Sequence, residues 1–423
     1  MKKSLIALAA LATVAAAYAD GSSVQLYGIV DAAVGHVQHS LSVDAQFPGS
    51  VNPFTKVATS VPAGVTGMFN GGESPGRWGI KGTEDLGNGM KAVFVLESGF
   101  NLPTGQISNA AGALAANSPT ATTANNSATS SVDGQLFNRQ AWVALSDNNL
   151  GQVALGRNYA PIFDVTIPND PLSGAQLFSP LGFSGTIGGG GGVSEDTRVD
   201  NSIKYTNKTG DFNYGALYKF GGVAGNSSAG SATAFNIGYM SGPLSIQAAH
   251  QEFRDGVKGV PGTLANEVKV SVYNTKATMV AATYALSSAN IKAGYEEYTL
   301  STPSDAASLF NSYYGQTVQA ATAGLSATQA ARTTDVIWVG GDYNVTPMFN
   351  VAAGYYDQKQ KASADNGQTA GDIFTYSLLA SYRFTKMTDV YAGAAYSQYK
   401  GTAYASGVYT SNSIVGAGLR VKF

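Results

Sequence analysis

Three arginines stand in short segments in which polar and apolar side chains alternate. In "RWGIKGTEDL", Arg77 shares one face with other charged side chains, and Trp78 lies on the opposite face. Arg139 in "FNRQAWVAL" is opposite in parity to Trp142, and Arg198 in "TRVDNSIKY" alternates with aliphatic residues. Successive side chains of a β-strand point to opposite faces, so the pattern predicts that all three arginines lie on polar faces. A guanidinium stays charged even when other cations are near it.

Four other side chains fall on polar faces and are secondary candidates. Lys81 follows in the first of these segments, and Lys204 follows in the third. In "VQLYGIVDAAV", Tyr27 and Asp31 share a face. The alternation does not assign a face to Arg157, which stands at the end of its segment.

The remaining titratable residues give little support to catalysis or to metal binding. The chain has 3 histidines and no cysteine. His36 and His39 lie near the outer end of the first predicted strand, and His250 shares its parity with apolar residues. A hydrolytic site needs a nucleophile or an activated water beside a placed base, and a metal site needs clustered ligands. The sequence therefore predicts a protein that is not an enzyme, with no metal site and no cofactor.

The composition favours a large protein made of many short strands. Of 423 residues, 44% are hydrophobic and only 12% are charged, which excludes a disordered acidic chain. The mean hydropathy of -0.02 also excludes a helical membrane protein. Glycine (51) and tyrosine (23) recur at short intervals, which is typical of strands and turns.

The first residues are typical of a secretory signal peptide. "MKKSLIALAALATVAAAYAD" has a basic start, an apolar run and a site with small residues at Ala17 and Ala19. We expect residues 1–19 to be removed and residues 20–423 to form one domain. Loss of Lys2 and Lys3 takes the formal charge from -2 to -4, which argues against a nucleic-acid partner.

About sixteen alternating runs follow, each long enough for the roughly 9–11 residues of a tilted membrane strand. Short turns such as "LGNG" and "NKTGD" alternate with long polar loops. This sorting by length is typical of an outer-membrane barrel with its short turns in the periplasm. The sequence predicts an all-β fold, a sixteen-stranded antiparallel transmembrane β-barrel. The long loops are predicted at 38–76, 101–135, 159–196, 256–272, 301–333 and 361–371.

The chain ends in "SIVGAGLRVKF", where apolar and charged residues alternate up to Phe423. A strand with one apolar and one polar face suits a wall between lipid and water. Because no sheet edge is left open in lipid, we expect the last strand to pair with the first. Phe423 would then lie at the periplasmic rim.

Several stretches resemble the Gram-negative general diffusion porins, above all "GRWGIKGTEDLGNGMKAVFVLESGF" and "LGQVALGRNYAPIFD". The resemblance spans Val24 to Phe423. It implies a homotrimer of sixteen-stranded barrels in the outer membrane of a Gram-negative bacterium, in contact with lipid and lipopolysaccharide. It also implies that the terminal Phe423 helps the barrel-assembly machinery to recognise the chain, and that small hydrophilic solutes and ions diffuse through the pore.

By the same resemblance, Arg77, Arg139 and Arg198 belong to the wall of a pore constriction, with Lys81 beside them. The loop that folds inward opposite them is expected at roughly 159–196. Its acids before the glycine run are Asp164 and Asp170, and the P-E-F-G signature of many family members is missing. Asp164 is equally suited to line the pore or to tie the root of the loop to the wall.

Three arginines facing few acids predict a mild preference for anions, although the chain is net negative. Charges beyond about 8 Å are screened at physiological salt, so the charges at the constriction outweigh the net charge. A substrate-specific channel remains the alternative to a general one, because specificity depends on loop side chains whose positions the sequence does not give. An adhesin with a passenger segment is disfavoured, because the first strand begins soon after the cleavage site.

Overall fold

The structure, a computed structural model, describes residues 22–41, 63–107, 136–183, 197–222, 224–261, 268–301, 332–361, 370–401 and 409–423. Two helices occur in this part of the chain, α1 (Pro161–Asn169) and α2 (Pro180–Phe183). No described helix is long and apolar enough to cross a bilayer. The strands are β1 (Ser23–Leu41), β2 (Ala63–Asn70), β3 (Arg77–Gly87), β4 (Met90–Asn101), β5 (Gln106–Ile107), β6 (Gln140–Asp147), β7 (Gly151–Tyr159), β8 (Arg198–Thr209), β9 (Phe212–Lys219), β10 (Ala232–Ser241), β11 (Leu244–Pro261), β12 (Val268–Ala285), β13 (Ala289–Ser301), β14 (Arg332–Asn344), β15 (Phe349–Gln360), β16 (Gly371–Arg383), β17 (Thr388–Gly401) and β18 (Tyr409–Lys422).

These segments form a closed antiparallel barrel of sixteen strands, as predicted. β2 and β3 both pair with β1 and together make one barrel strand, and the two-residue β5 pairs only with the end of β4. The other strands pair with their neighbours in chain order. β18 pairs with β1 from Ile29↔Lys422 to Leu41↔Tyr409, which closes the sheet. Closure gives each of the sixteen barrel strands a partner on both sides, as backbone amides in hydrocarbon require.

The last strand has one apolar outer face and one polar inner face, as its alternating sequence predicts. Val415 and Leu419 are exposed on the outer surface, whereas Arg420 lies inside and contacts Asp389. The backbone of Phe423 exchanges hydrogen bonds of 3.0 and 3.1 Å with Gly28 of the first strand. A side chain at position 28 would clash with the Phe423 ring, so this junction requires a glycine.

Two predicted loops were too long. The interval 38–76 contains the end of β1 and all of β2, which pair with each other from Ala32↔Asn70 to His39↔Ala63. In the interval 256–272, the β11–β12 ladder continues to Pro261↔Val268. These hairpins continue past the length that a membrane strand needs, so the polar composition of their outer ends resembles that of a loop.

Residues 71–76 leave the wall between β2 and β3 and turn into the barrel. The buried carboxylate of Asp31 accepts hydrogen bonds from the amides of Gly72 (3.1 Å), Glu73 (3.2 Å) and Ser74 (2.8 Å). Gly71 has a φ of 79°, which glycine adopts without strain. Asp31 therefore fixes an inward bend in the second barrel strand.

The segment after β7 folds into the barrel, as predicted for the constriction loop; residues 184–196 of that prediction lie outside the described part. α1 packs against the inner side of β9 to β13. Farther along the chain, the amide of Leu177 donates to the carbonyl of Gly72 (2.9 Å). The next residue, Phe178, makes an edge contact with Tyr391 of β17 (6.5 Å between centroids). The infolded segment thus follows the inner wall from β9 to the inward bend.

Buried polar contacts fix the middle of this segment. Asp170 is fully buried and accepts a hydrogen bond of 2.6 Å from the hydroxyl of Tyr356 on β15. Lys292 of β13 donates to the Asp170 carbonyl (2.9 Å), and the Trp338 indole of β14 donates to the Asn169 carbonyl (2.9 Å). A buried polar group without its partner costs about 1–3 kcal/mol, so these contacts favour one position of the loop.

We expect Tyr356→Phe to loosen the infolded segment, because it removes a donor from a buried carboxylate and leaves the ring in place. The cost should be about 1–3 kcal/mol. Amide hydrogen exchange should be faster in residues 170–179 of the variant than in the wild type.

Tyr355→Phe is the matched control, since the neighbouring Tyr355 lies on the opposite face of β15 and contacts Tyr376 (5.2 Å between centroids). Equal protection of residues 170–179 in the wild type and Tyr356→Phe would show that this contact does not hold the loop.

Candidate functional site: a cationic constriction

A cavity of about 490 Å³ lies between the infolded segment and the wall built by β1, β3, β4, β6, β7 and β8. Arg77, Arg139 and Arg198 all line it. The structure therefore brings the three predicted arginines together, although they lie in separate parts of the chain. Its lining is completed by Tyr27, Ile29, Glu73, Ser74, Pro75, Glu97, Gln140, Tyr159, Phe163, Ile167, Ser173, Gly174, Gln176, Leu181, Gly182 and Thr197.

Arg139 is the most firmly held of the three. Its Nε donates to the Glu97 carboxylate (2.6 Å), and its Nη2 donates to the Tyr159 hydroxyl (2.8 Å). The Tyr27 hydroxyl donates to the same carboxylate (3.0 Å). Arg139 and Glu97 are both nearly fully buried. Removal of either partner would leave a buried charge without compensation, so the pair is structural as well as electrostatic.

The parity argument for Arg139 was wrong, although its side chain does point inward. Val143 and Leu145 are exposed on the outer face of β6, so Trp142 lies on the inner face with Gln140, which accepts a hydrogen bond from its indole (3.0 Å). Arg139 stands on a bend just before β6 begins. Strand alternation does not extend across that bend, and the side chain turns inward to Glu97.

Arg77 and Arg198 are held in different ways. Arg77 of β3 is half-buried, and no hydrogen bond or ion pair joins its side chain to another described residue. Arg198, at the start of β8, is 8% exposed and lies over the Tyr159 ring (6.0 Å). Lys81 is exposed farther along β3 and lies 5.2 Å from the Tyr27 ring. The wall thus carries cations at several levels.

Asp164 and Asp170, the two acids in the described part of the infolded segment, do not line the cavity. Asp164 of α1 forms an ion pair with Lys204 of β8, which also donates to the Tyr159 carbonyl (2.9 Å). Burial raises the pKa of Asp164, and Lys204 opposes the rise. Burial likewise raises the pKa of Asp170, against the hydrogen bond from Tyr356. Both acids fix the loop to the wall, which for Asp164 is one of the two alternatives stated above.

Three secondary candidates have distinct positions. Tyr27 lines the cavity and bonds to Glu97, whereas Lys204 is occupied by Asp164. Asp31 lies inside the barrel but is completely buried, so its prediction as a lumen-lining residue was wrong. The inward bend of residues 71–76 covers it. Arg157 forms an ion pair with Asp200 and does not line the cavity.

Two acids that the sequence analysis missed lie beside the arginines. Glu97 alternates with apolar residues in "MKAVFVLESGF", and its parity opposite to Leu96 was an available signal. Glu73 falls within a predicted loop, and no local pattern distinguishes it. It forms an ion pair with Arg420 and accepts a hydrogen bond from Ser381. Burial raises the pKa of Glu73, and Arg420 opposes the rise.

The resulting field is dominated by cations on one side. Both acids at the wall are paired with arginines, and the loop presents Phe163, Ile167 and Ser173 to the cavity. Charges at a narrow passage act on an ion at short distance, where screening is weak. Within the described ranges, no group of histidine and carboxylate side chains is arranged to hold a metal ion. The arrangement is suited to attracting and orienting anions.

Two kinds of sequence comparison identify the family. A family model described as Gram-negative porin matches residues 4–402. An outer membrane porin protein of Bordetella pertussis is 32% identical over 273 residues, which is 60% of this chain and 60% of that protein. Outer membrane porin protein 32 of Delftia acidovorans is 32% identical over 264 residues, or 62% of each chain. The chain thus spans about 60% of the length of these relatives.

Solved structures share the fold. The anion-selective porin from Comamonas acidovorans is 23% identical, with a TM-score of 0.63 over 95% of this chain and 100% of that one. The trimer form of OmpT from Vibrio cholerae is 16% identical, with a TM-score of 0.59 over 96% of this chain and 100% of that one. Because the family model matches nearly the whole sequence, this chain belongs to the Gram-negative porin family, and it is an outer-membrane protein rather than an enzyme.

Proposed function

We propose that this protein forms a water-filled channel for the passive diffusion of small hydrophilic solutes and ions, with a mild preference for anions. The observation that carries this proposal is the joint lining of one cavity by Arg77, Arg139 and Arg198. The described part of the infolded loop supports it further, since Asp164 and Asp170 contact the barrel wall and neither lines the cavity. The anion selectivity named for the Comamonas porin agrees with this charge arrangement.

We further propose a homotrimer whose contact surface includes β18, β1 and β2. Barrels of this kind carry aromatic girdles where lipid meets water. The described strands β9 to β17 carry many exposed aromatic side chains, for example Phe235 and Tyr376. Among the described side chains of β18, β1 and β2, the exposed large hydrophobic ones are not aromatic, for example Val34, Met68 and Val415. A wall without a girdle is suited to burial against a neighbouring subunit.

The export and assembly signals also remain proposals. Residues 1–19 and the cleavage site lie outside the described part of the chain, as does the beginning of the domain at residue 20. Phe423 is exposed at the junction of the first and last strands. That position keeps its ring accessible for recognition by the assembly machinery. Contact with lipopolysaccharide is proposed from family membership.

Arg77→Gln is the cleanest test of the anion preference, because no described acid forms an ion pair with Arg77 and would be left buried alone. In planar bilayers, reversal potentials in a KCl gradient should show that the wild type prefers chloride. One unit charge within about 4 Å of an ion contributes about 1 kcal/mol in water, so the permeability ratio should fall about two- to fivefold. Lys208→Gln is the control, since Lys208 is exposed at the short-turn end of β8.

A wild-type preference for cations, or an equal loss in both variants, would contradict the arginine constriction. Small steps blocked by a single solute would indicate the substrate-specific alternative. Folded barrels that give no conductance steps would contradict a channel of either kind.

The trimer surface is tested by Val34→Trp on β1 and by Ile237→Trp on β10. A lipid-facing position accepts an indole, whereas a packed interface does not, since overpacking costs typically 1–3 kcal/mol. We expect Val34→Trp to lower the temperature at which the trimer dissociates in semi-native electrophoresis, and Ile237→Trp to leave it unchanged. The reverse order, or a wild type that migrates only as a monomer, would show that the surface is assigned wrongly.

A further inference from the structure

An apolar stripe runs along the infolded segment into the constriction. Tyr159, Phe163 and Ile167 are spaced four residues apart, and all three line the cavity. The rings of Tyr159 and Phe163 are stacked, with 4.7 Å between centroids and 17° between planes. Residues four apart lie on the same face of a helix, so Phe163 and Ile167 form one surface of α1.

The opposite face of α1 explains why this surface points into the water-filled passage. Ile162, Val165 and Asn169 are fully buried against the barrel wall. The Asn169 side chain accepts a hydrogen bond of 2.8 Å from Thr283 of β12. With that face fixed to the wall, Phe163 and Ile167 remain half-exposed in the cavity. The apolar surface is therefore set by the way the helix is anchored.

Tyr159, the first residue of the stripe, contacts two arginines of the constriction. The Tyr159 hydroxyl accepts from Arg139, and its ring lies under the guanidinium of Arg198. Arg77 lines the same cavity and makes no ion pair within the described chain. Small-molecule sites typically combine apolar walls with a few convergent polar groups. Here a charged wall and an apolar wall meet in one cavity of about 490 Å³.

We propose that the constriction binds organic monocarboxylates that carry an apolar body, with the carboxylate on Arg77 and the body against Phe163 and Ile167. This proposal rests on the proposed channel function and adds a ligand class to it. A guanidinium is suited to a carboxylate by its planar fork of donors. Contact with the stripe removes apolar surface of the solute from water, which a purely hydrophilic anion does not gain.

Two anions with the same carbon ring separate charge from apolar contact. Cyclohexanecarboxylate has an apolar ring, and quinate has the same ring with four hydroxyl groups. In a planar bilayer at neutral pH, each is added to a channel that carries a KCl current. We expect the half-blocking concentration of cyclohexanecarboxylate to be about fivefold lower than that of quinate, from burial of part of the ring.

Two double variants separate apolarity from the width of the passage. Phe163→Asn with Ile167→Thr makes the stripe polar, whereas Phe163→Leu with Ile167→Val removes the same number of non-hydrogen atoms and keeps it apolar. The difference between the two probes should disappear in the polar variant and persist in the apolar one. Ile167→Thr and Ile167→Val alone provide the same comparison if a double variant does not fold.

Equal block by the two probes in the wild type would overturn the proposal, as would loss of the difference in both double variants. Reversal potentials in KCl report separately on the channel. A wild type that prefers chloride but does not distinguish the probes would keep the proposed function and remove only this ligand class. Absence of chloride preference would instead count against the proposed function itself.

Discussion

A backbone amide or carbonyl left unpaired in hydrocarbon costs several kcal/mol, and every strand of this protein is arranged to avoid that cost. The consequence is a ladder that closes between β1 and β18, where the C-terminal residue bonds to Gly28. Closure in turn creates an interior that is separated from lipid. Only in that interior can helix α1, the bend at 71–76 and so many charged side chains be accommodated.

The barrel was predictable because the direction of each strand side chain depends only on its position within that strand. Each residue of a strand faces lipid or lumen according to its parity, as Val415 and Arg420 show on β18. Parity does not predict the direction of a side chain that lies outside a regular strand. Arg139 stands on a bend, so the position of Trp142 was inferred wrongly from it. The ends of the outer hairpins were also missed, because polar strands beyond the membrane have the composition of loops.

The functional assignments of the acids were the least predictable. Asp170 finds its partner Tyr356 186 residues away, and Asp31 is covered by a bend 41 residues farther along the chain. No periodicity within a segment encodes such partners. Asp164 and Asp170 of the loop contact the barrel wall, whereas the acids beside the arginines come from the wall and from the bend. Among the described residues, the acids that line the cavity therefore lie on the same side as the arginines.

The loop is fixed by groups other than those that face the passage. Its tip is held by bonds from the amides of Gln176 (3.3 Å) and Leu177 (2.9 Å) to carbonyls of residues 73 and 72. Main-chain bonds of this kind persist when side chains are exchanged. Phe163 and Ile167 can therefore vary without changing the frame that sets the size of the opening. Because different groups fix the loop and face the passage, point substitutions can change which solutes permeate. The width of the passage stays the same in such variants.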